Sequence, residues 1–476
     1  MPDSGQVSPV GRLLRRPAGV RQLKNPPDFF GREEFFRPLQ HNPSKQYRQF
    51  FHFYRRDNAM TTTAPPNIIG KPQSAQRLSF IDIMRGIACV WMIETHVVNA
   101  CLSWNFRGGW FFDALNTTNG YVSVSFIFCA GAGFWLAASR KAQEYKTFQP
   151  SLWQYVRRLG FILLVAYWLH IPEISLRKYL LAAPDRQNIL WICDVLHAIA
   201  IASFLALALL MLVPTLKQLR WVFVGMAVLF VFGAPLVWQL EPDTFLPRVL
   251  GSYLSRPPAA AFPLFPWCGY FFTGSALTAF FLDSPDRRTF AKRSAWVGFI
   301  TPFVVMTFMW TGWNQMFNYG WTENWYLCSP GNVIFRVSGS VLLFSILFLW
   351  QDKITGWSVL NRKPASWLQL MGQESLFVYV FHLMVVYGSP ANLGMSYFVG
   401  GVLRPFAAVV LTIAVIVAVY VLMEQWHLAK KNSPNVPKRI IWTFGILFAL
   451  IFILVTPQFA DMAEVWAAQH FAGLVK

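Results

Sequence analysis

The stretch IDIMRGIACVWMIETHVVNA, residues 81–100, sets two acids, an arginine and a histidine into an otherwise apolar run: Asp82, Arg85, Glu94 and His96. On a helix, at 100° per residue, His96 falls about 20° around from Arg85 and ~16 Å further along, and Asp82 lies within about 40° of the same line. A guanidinium recognises phosphate, and a neutral imidazole takes a proton near neutral pH. One helix face would therefore carry an anion-binding group at one end and a base at the other. Glu94 points nearly opposite Arg85, towards a contact with a neighbouring helix.

Other ionisable groups repeat the theme. In WICDVLHAIA, Asp194 and His197 are three residues apart, close enough for the carboxylate to fix the imidazole tautomer. In LMGQESLFVYVFHLMVVYG, Glu374 is expected near one end of a span and His382 deeper in it. Arg336 lies near the start of another apolar run, and His170 and His427 sit at run ends, where snorkelling to the interface accounts for them. Asp194, His197, Glu374 and His382 would support the chemistry from around His96 or face the acceptor. The sequence offers no metal-ligand set such as paired His at helical spacing, so no bound metal is expected.

The elements that must position these groups follow from composition. The 476 residues are 55% hydrophobic and 13% charged, against about 25% charged in soluble proteins. Lipid must be the solvent for most of the chain, which excludes a soluble enzyme. Eleven apolar segments approach the ~20 residues that cross a bilayer as a helix. They run at 80–102, 121–139, 153–171, 189–213, 219–238, 262–282, 292–312, 332–350, 368–388, 403–423 and 439–457. The expected fold is all-α, a polytopic membrane helical bundle of about eleven transmembrane helices. An ionisable group inside such a span costs ~2.5–3.5 kcal/mol on insertion scales, so each needs a partner or a wet cavity.

The formal charge of +19 is a topology signal rather than a nucleic-acid signal, because the basic residues are scattered between apolar runs. With the N-terminus cytoplasmic, inner loops and helix ends hold 18 Lys and Arg and outer ones eight, an N-in, C-out bias. Residues 1–59 carry 11 Lys or Arg, five Asp or Glu and repeated Pro without apolar periodicity. We expect residues 1–77 to be a disordered cytoplasmic segment, with Met60 a second candidate start, a transmembrane domain over 78–460, and a short tail over 461–476. The six Cys lie singly and read as small hydrophobes.

Arg85, ten residues and His96 resemble the Arg-x10-His first-helix motif of the integral-membrane acyltransferase type three proteins, within the transmembrane acyltransferase superfamily. The wider chain resembles the family of heparan-alpha-glucosaminide N-acetyltransferase and its bacterial relatives. The stretches SFIFCAGAGFWLAASR, YVRRLGFILLVAYWLHIP, DVLHAIAIA, FPLFPWCGYFFTGSAL and MGQESLFVYVFHL carry that resemblance in order. It implies transfer of an acyl group, typically acetyl, from cytoplasmic acetyl-CoA or another acyl-CoA to an extracytoplasmic sugar or glycan amine or hydroxyl. It places Arg85 on the donor side, with Asp82 orienting it, and His96 as base. It also implies a multi-pass protein of a bacterial inner (plasma) membrane, with the lipid bilayer and a glycan as partners and no nucleic acid. A homo-oligomer is compatible with the sequence and not specified by it. One departure stands out. The animal heparan enzymes carry an Asn near the His96 position and their catalytic His eleven residues later, where this chain has Arg107. A secondary transporter, using the same intramembrane charges as a substrate or proton path, is the alternative class.

Overall fold

The computed structural model describes residues 78–257, 259–310, 329–356 and 364–462. The basic segment 1–77, Cys328 and the tail from 463 onward lie outside the described residues. What is described belongs to one compact unit that starts at Leu78.

The chain is an all-α membrane bundle. Each interval expected to span is helical: α1 Ser79–Cys101, α2 Trp110–Lys146, α3 Pro150–Leu169, α4 Val195–Leu212, α5 Leu216–Gln239, α6 Leu264–Asp283, α7 Arg287–Trp310, α8 Pro330–Leu349, the pair α9 Pro364–Gln373 and α10 Ser375–Val386, α11 Pro405–Asn432 and α12 Asn435–Leu454. Among the described residues six helices (α2, α4, α5, α8, α11 and α12) are individually long and apolar enough to cross a membrane. α1, which carries Asp82, Arg85 and Glu94, is not one of them.

Local sequence explains the helix starts. Pro150, Pro330 and Pro405 occupy first-turn positions, where their missing N–H costs nothing. Thr215 and Ser329 cap α5 and α8 by accepting from Gln218 N at 3.2 Å and Asn332 N at 3.1 Å. Two expected spans are corrected. The ninth is broken at Glu374, which separates α9 from α10. The fourth begins only at Val195, because Ile189–Trp191 forms a 3-10 turn and Asp194 stands outside the helix as its cap.

Small residues set the closest crossings, as expected where lipid supplies no hydrophobic drive between helices. A Cβ on Gly86 would lie 1.9 Å from the Leu368 carbonyl oxygen, and one on Gly372 1.8 Å from that of Asp82, so α1 and α9 touch backbone to backbone. Ser275 Oγ donates to Gly131 O at 2.9 Å, tying α6 to α2. Gly372→Val is therefore expected to push α9 off α1, costing about 1–3 kcal/mol or more. Thermal unfolding in detergent checks this, and an unchanged melting temperature would contradict the crossing. In contrast, α11 and α12 present Phe406, Val409, Ile413, Trp442, Leu447 and Leu450 outward, the surface expected of helices that face lipid.

The end of α1 is bound to the chain that leads into α11. Gly401 N donates to Ala100 O at 3.0 Å, Leu403 N to Cys101 O at 2.9 Å, and Ser103 N to Leu403 O at 2.9 Å. A two-residue hairpin, Gly388–Ser389 against Asn392–Leu393, follows Tyr387. Its turn-in needs φ of 89° at Gly388, a conformation that L side chains rarely adopt.

Candidate active site

His96 faces the protein interior, against α10 and the residue that ends it. Its Nδ1 is 3.1 Å from the Tyr387 hydroxyl, which also reaches the His96 carbonyl oxygen at 3.5 Å. The arrangement that uses both contacts has Tyr387 donate to the carbonyl and accept from Nδ1–H. That leaves the lone pair of His96 on Nε2. The ring is half-buried, and its centroid lies 5.2 Å from that of His382 and 5.4 Å from that of Tyr387.

His382 is fully buried. Its Nδ1 sits 2.8 Å from Val378 O, an atom that can only accept, so Nδ1 carries the proton and Nε2 the lone pair. Nε2 is buried with no hydrogen-bond partner among the described residues. Two imidazoles thus stand side by side, and each local network points to a basic Nε2. A buried acceptor without a donor is costly, and such exceptions call for an explanation.

Asp194 is linked to this pair, while His197 packs against Tyr167, His170 and Tyr253, and the two act on each other differently from the expectation. Asp194 caps α4, taking Val195 N at 2.6 Å, and its other oxygen accepts from the Tyr379 hydroxyl. His197 Nδ1 accepts from Asp194 N at 3.2 Å, completing a capping box in which imidazole replaces the usual Glu or Gln. The His197 tautomer is therefore fixed by a backbone N–H and not by the carboxylate. Tyr379 meets His382 edge-on, with ring centroids 5.7 Å apart, so Asp194 reaches the imidazole pair through one phenol.

Arg85 and Asp82 lie on the α1 face that meets α9, as the helix geometry predicts. Arg85 Nη2 donates to Cys129 O at 3.0 Å, Nη1 reaches Gly372 O at 3.4 Å, and Asp82 Oδ1 stands 3.9 Å from Nη1. The guanidinium joins α1, α2 and α9, and a fifth of the side-chain surface stays open. Between Arg85 and His96, the side chains of Cys89, Met92 and Ile93 are buried and packed. Cys89 Sγ meets Met371 O at 3.9 Å.

Glu374 sits at the break between α9 and α10, away from the imidazole pair. Its carboxylate binds Lys430 Nζ at 2.8 Å and His427 Nδ1 at 3.0 Å, fastening that break to α11. His427 is thus a partner of Glu374 rather than a snorkelling residue. Arg107 donates to Leu102 O from Nε at 3.0 Å and to Asn99 O from Nη2 at 2.8 Å, and lies over the Trp104 ring. It secures the loop after α1 and offers no base there.

Sequence reasoning missed two features. Tyr387 reads as one more interfacial aromatic, and only its spacing of five from His382 hinted at a shared site. The second is a polar cleft of about 220 Å³ between α1, α2, α6 and α8, lined by amides and by Arg336. Asn side chains carry no charge, so a search for ionisable groups passes over them. Among the described residues no group of three or more His, Cys, Asp or Glu stands together as a metal-ligand set.

Residues 77–317, just over half of the chain, match the family described as heparan-alpha-glucosaminide N-acetyltransferase, catalytic. No curated protein matches the chain. The matched region runs from α1 to beyond α7 and includes Asp82, Arg85, His96, Asp194 and His197, while His382 and Tyr387 lie beyond it. The chain belongs to the heparan-alpha-glucosaminide N-acetyltransferase catalytic family and is a multi-pass membrane acetyltransferase.

Proposed function

We propose that this protein transfers an acetyl group from cytoplasmic acetyl-CoA to the amine or hydroxyl of an extracytoplasmic sugar, with His96 as general base. The observation that carries the reading is the adjacent pair of imidazoles at His96 and His382, held by Tyr387 and by a backbone carbonyl. The excess of basic residues on one set of loops supports an N-terminus in the cytoplasm. The Arg85 end of α1 then faces the donor and the His96 end the acceptor.

In the reaction, the acceptor nitrogen or oxygen attacks the thioester carbonyl while His96 Nε2 takes its proton. The tetrahedral adduct collapses, the C–S bond breaks, and the proton passes from the imidazolium to the departing CoA sulfur. His382 Nε2 accepts a hydrogen bond from the acceptor and aims its lone pair. Arg85, with Asp82 beside it, meets a donor phosphate at the cytoplasmic mouth through its open surface. Asp194 steadies the pair through Tyr379, and His197 and Glu374 hold the ends of α4 and α10. Because Cys89, Met92 and Ile93 fill the interval between Arg85 and His96, delivery requires α1 to part from α9 and α10.

Purified protein in detergent, given acetyl-CoA and glucosamine, should release CoA thiol in proportion to acetylated sugar. Uptake of sugar by proteoliposomes without CoA release would favour transport instead. Tyr387→Phe should lower acceptor-dependent turnover by about 2- to 12-fold, the worth of one hydrogen bond of ~0.5–1.5 kcal/mol. Steady-state kinetics checks this, and an unchanged kcat would remove Tyr387 from the positioning of His96.

A further inference from the structure

The polar cleft between α1, α2, α6 and α8 is a second feature that the imidazole pair does not use. Neither His96 nor His382 lines it. Asn116 and Asn119 enter from α2, Trp267 and Tyr270 from α6, and Asn332 and Arg336 from α8. Asn99 and Asn116 are exposed while Asn119, Asn332 and Arg336 are buried, so polar groups line the cleft from the surface inward, where an apolar bundle tolerates them only with polar contacts.

Its chemistry is that of a sugar site. Asn99 and Asn116 present exposed amides, and an amide both donates and accepts, which suits hydroxyl groups that give and take hydrogen bonds. Trp267 is half-buried and supplies a flat apolar face for the C–H side of a pyranose, and its ring packs 5.4 Å from Tyr270. Arg336 is buried and holds two walls in place, donating from Nε to Asn332 Oδ1 at 3.1 Å and from Nη1 to Gly120 O. Asn119 is fixed by Trp91 Nε1 at 2.8 Å. At about 220 Å³ the space is below the ~300–1,000 Å³ of drug-sized pockets, a size suited to a single sugar ring.

Thr95 and Asn99 of α1 also border the cleft. Thr95 precedes His96, and Asn99 follows it by three residues, so the cleft lies one helix face around from the base. We propose that this cleft is the subsite for the sugar next to the one that is acetylated, a single pyranose of a glycan acceptor recognised by amide hydrogen bonds and stacking on Trp267. The proposal rests on the acetyltransferase reading for the identity of the acceptor, and on the cleft alone for the binding of a pyranose.

The test uses full-length protein in detergent with two probes, glucosamine and the disaccharide glucosaminyl-β-1,4-glucose. The side chains of Asn99 and Asn116 are exposed, so Asn99→Leu and Asn116→Leu should leave the fold intact. The parent protein should prefer the disaccharide in kcat/KM. Each variant should lower the ratio of disaccharide to monosaccharide kcat/KM by about 2- to 12-fold, one hydrogen bond's worth. Calorimetric binding of the disaccharide without acetyl-CoA reads the cleft independently of transfer. Weaker binding in the variants supports the subsite even where no sugar is acetylated, a result that would count against the acetyltransferase reading alone. Equal affinity and an unchanged ratio in both variants would overturn the proposal.

Discussion

His96→Ala is expected to cut acceptor-dependent CoA release by about 10²–10⁴-fold, the usual worth of a positioned general base. The loss should fall on kcat, with the KM for acetyl-CoA little changed, because no donor-side contact involves the ring. The fold should survive. The ring is only half-buried, and the Tyr387 hydroxyl keeps the residue 96 carbonyl oxygen as a partner. His96→Gln, which retains a polar side chain but cannot take the proton, should be as inactive as the alanine variant. Full activity in either variant, with a monodisperse folded protein, would remove His96 from the mechanism.

His382→Phe should separate catalysis from stability. The imidazole is fully buried, and its Nε2 has no partner among the described residues, so replacing it by an apolar ring removes a desolvated acceptor. Its Nδ1–H bonds Val378 O on the same helix, a carbonyl one turn back whose loss of that partner costs little. The melting temperature should therefore hold or rise. Activity should fall by about 5- to 160-fold, since a hydrogen bond in a buried site is worth roughly 1–3 kcal/mol, and the effect should appear in the acceptor KM as well as kcat. His382→Asn, which can present an acceptor oxygen, should recover part of it. A residue with a purely structural role gives the opposite pattern, with stability lost and activity per folded molecule retained.

The helices were legible in the sequence because lipid imposes a simple rule of about 20 apolar residues per crossing, and each of the eleven predicted intervals holds helix, with the fourth starting late and the ninth broken. The alignment of Asp82, Arg85 and His96 on one α1 face was legible from the 100° step, and the structure turns that face towards α9 and α10. What each group does there was not legible. Arg85 donates to carbonyls of α2 and α9, which depend on Gly372 allowing an approach that only tertiary packing shows. Asp194 and His197 have the right spacing for a catalytic pair. A capping box needs almost the same spacing, and only the start of α4 at Val195 distinguishes the two. The break at Glu374 follows Gly372 by two residues, but that glycine serves the close crossing with α1 and does not by itself announce a break. Its other visible signal is a carboxylate near one end of the span, whose cost is offset by Lys430 and His427 from more than fifty residues away in sequence.

The cleft around Arg336 shows the limit of reading charges alone. Arg336 was noticeable as a cation in an apolar run, yet its surroundings are four Asn from three helices, and amides near span ends look like ordinary interfacial residues. A count of amides alongside ionisable groups would have drawn attention to Asn99, Asn116, Asn119 and Asn332 together.

The most direct measurement of the central claim is a cryo-EM structure with a non-transferable acetyl-CoA analogue and glucosamine bound. The account predicts the acyl carbonyl carbon ~3–3.5 Å from the sugar nitrogen, and His96 Nε2 within ~2.6–3.2 Å of that nitrogen. It also predicts that Cys89, Met92 and Ile93 move apart from Met371 to admit the donor's arm. An acyl group bound elsewhere in the bundle, with those side chains still packed and His96 out of reach, would contradict it.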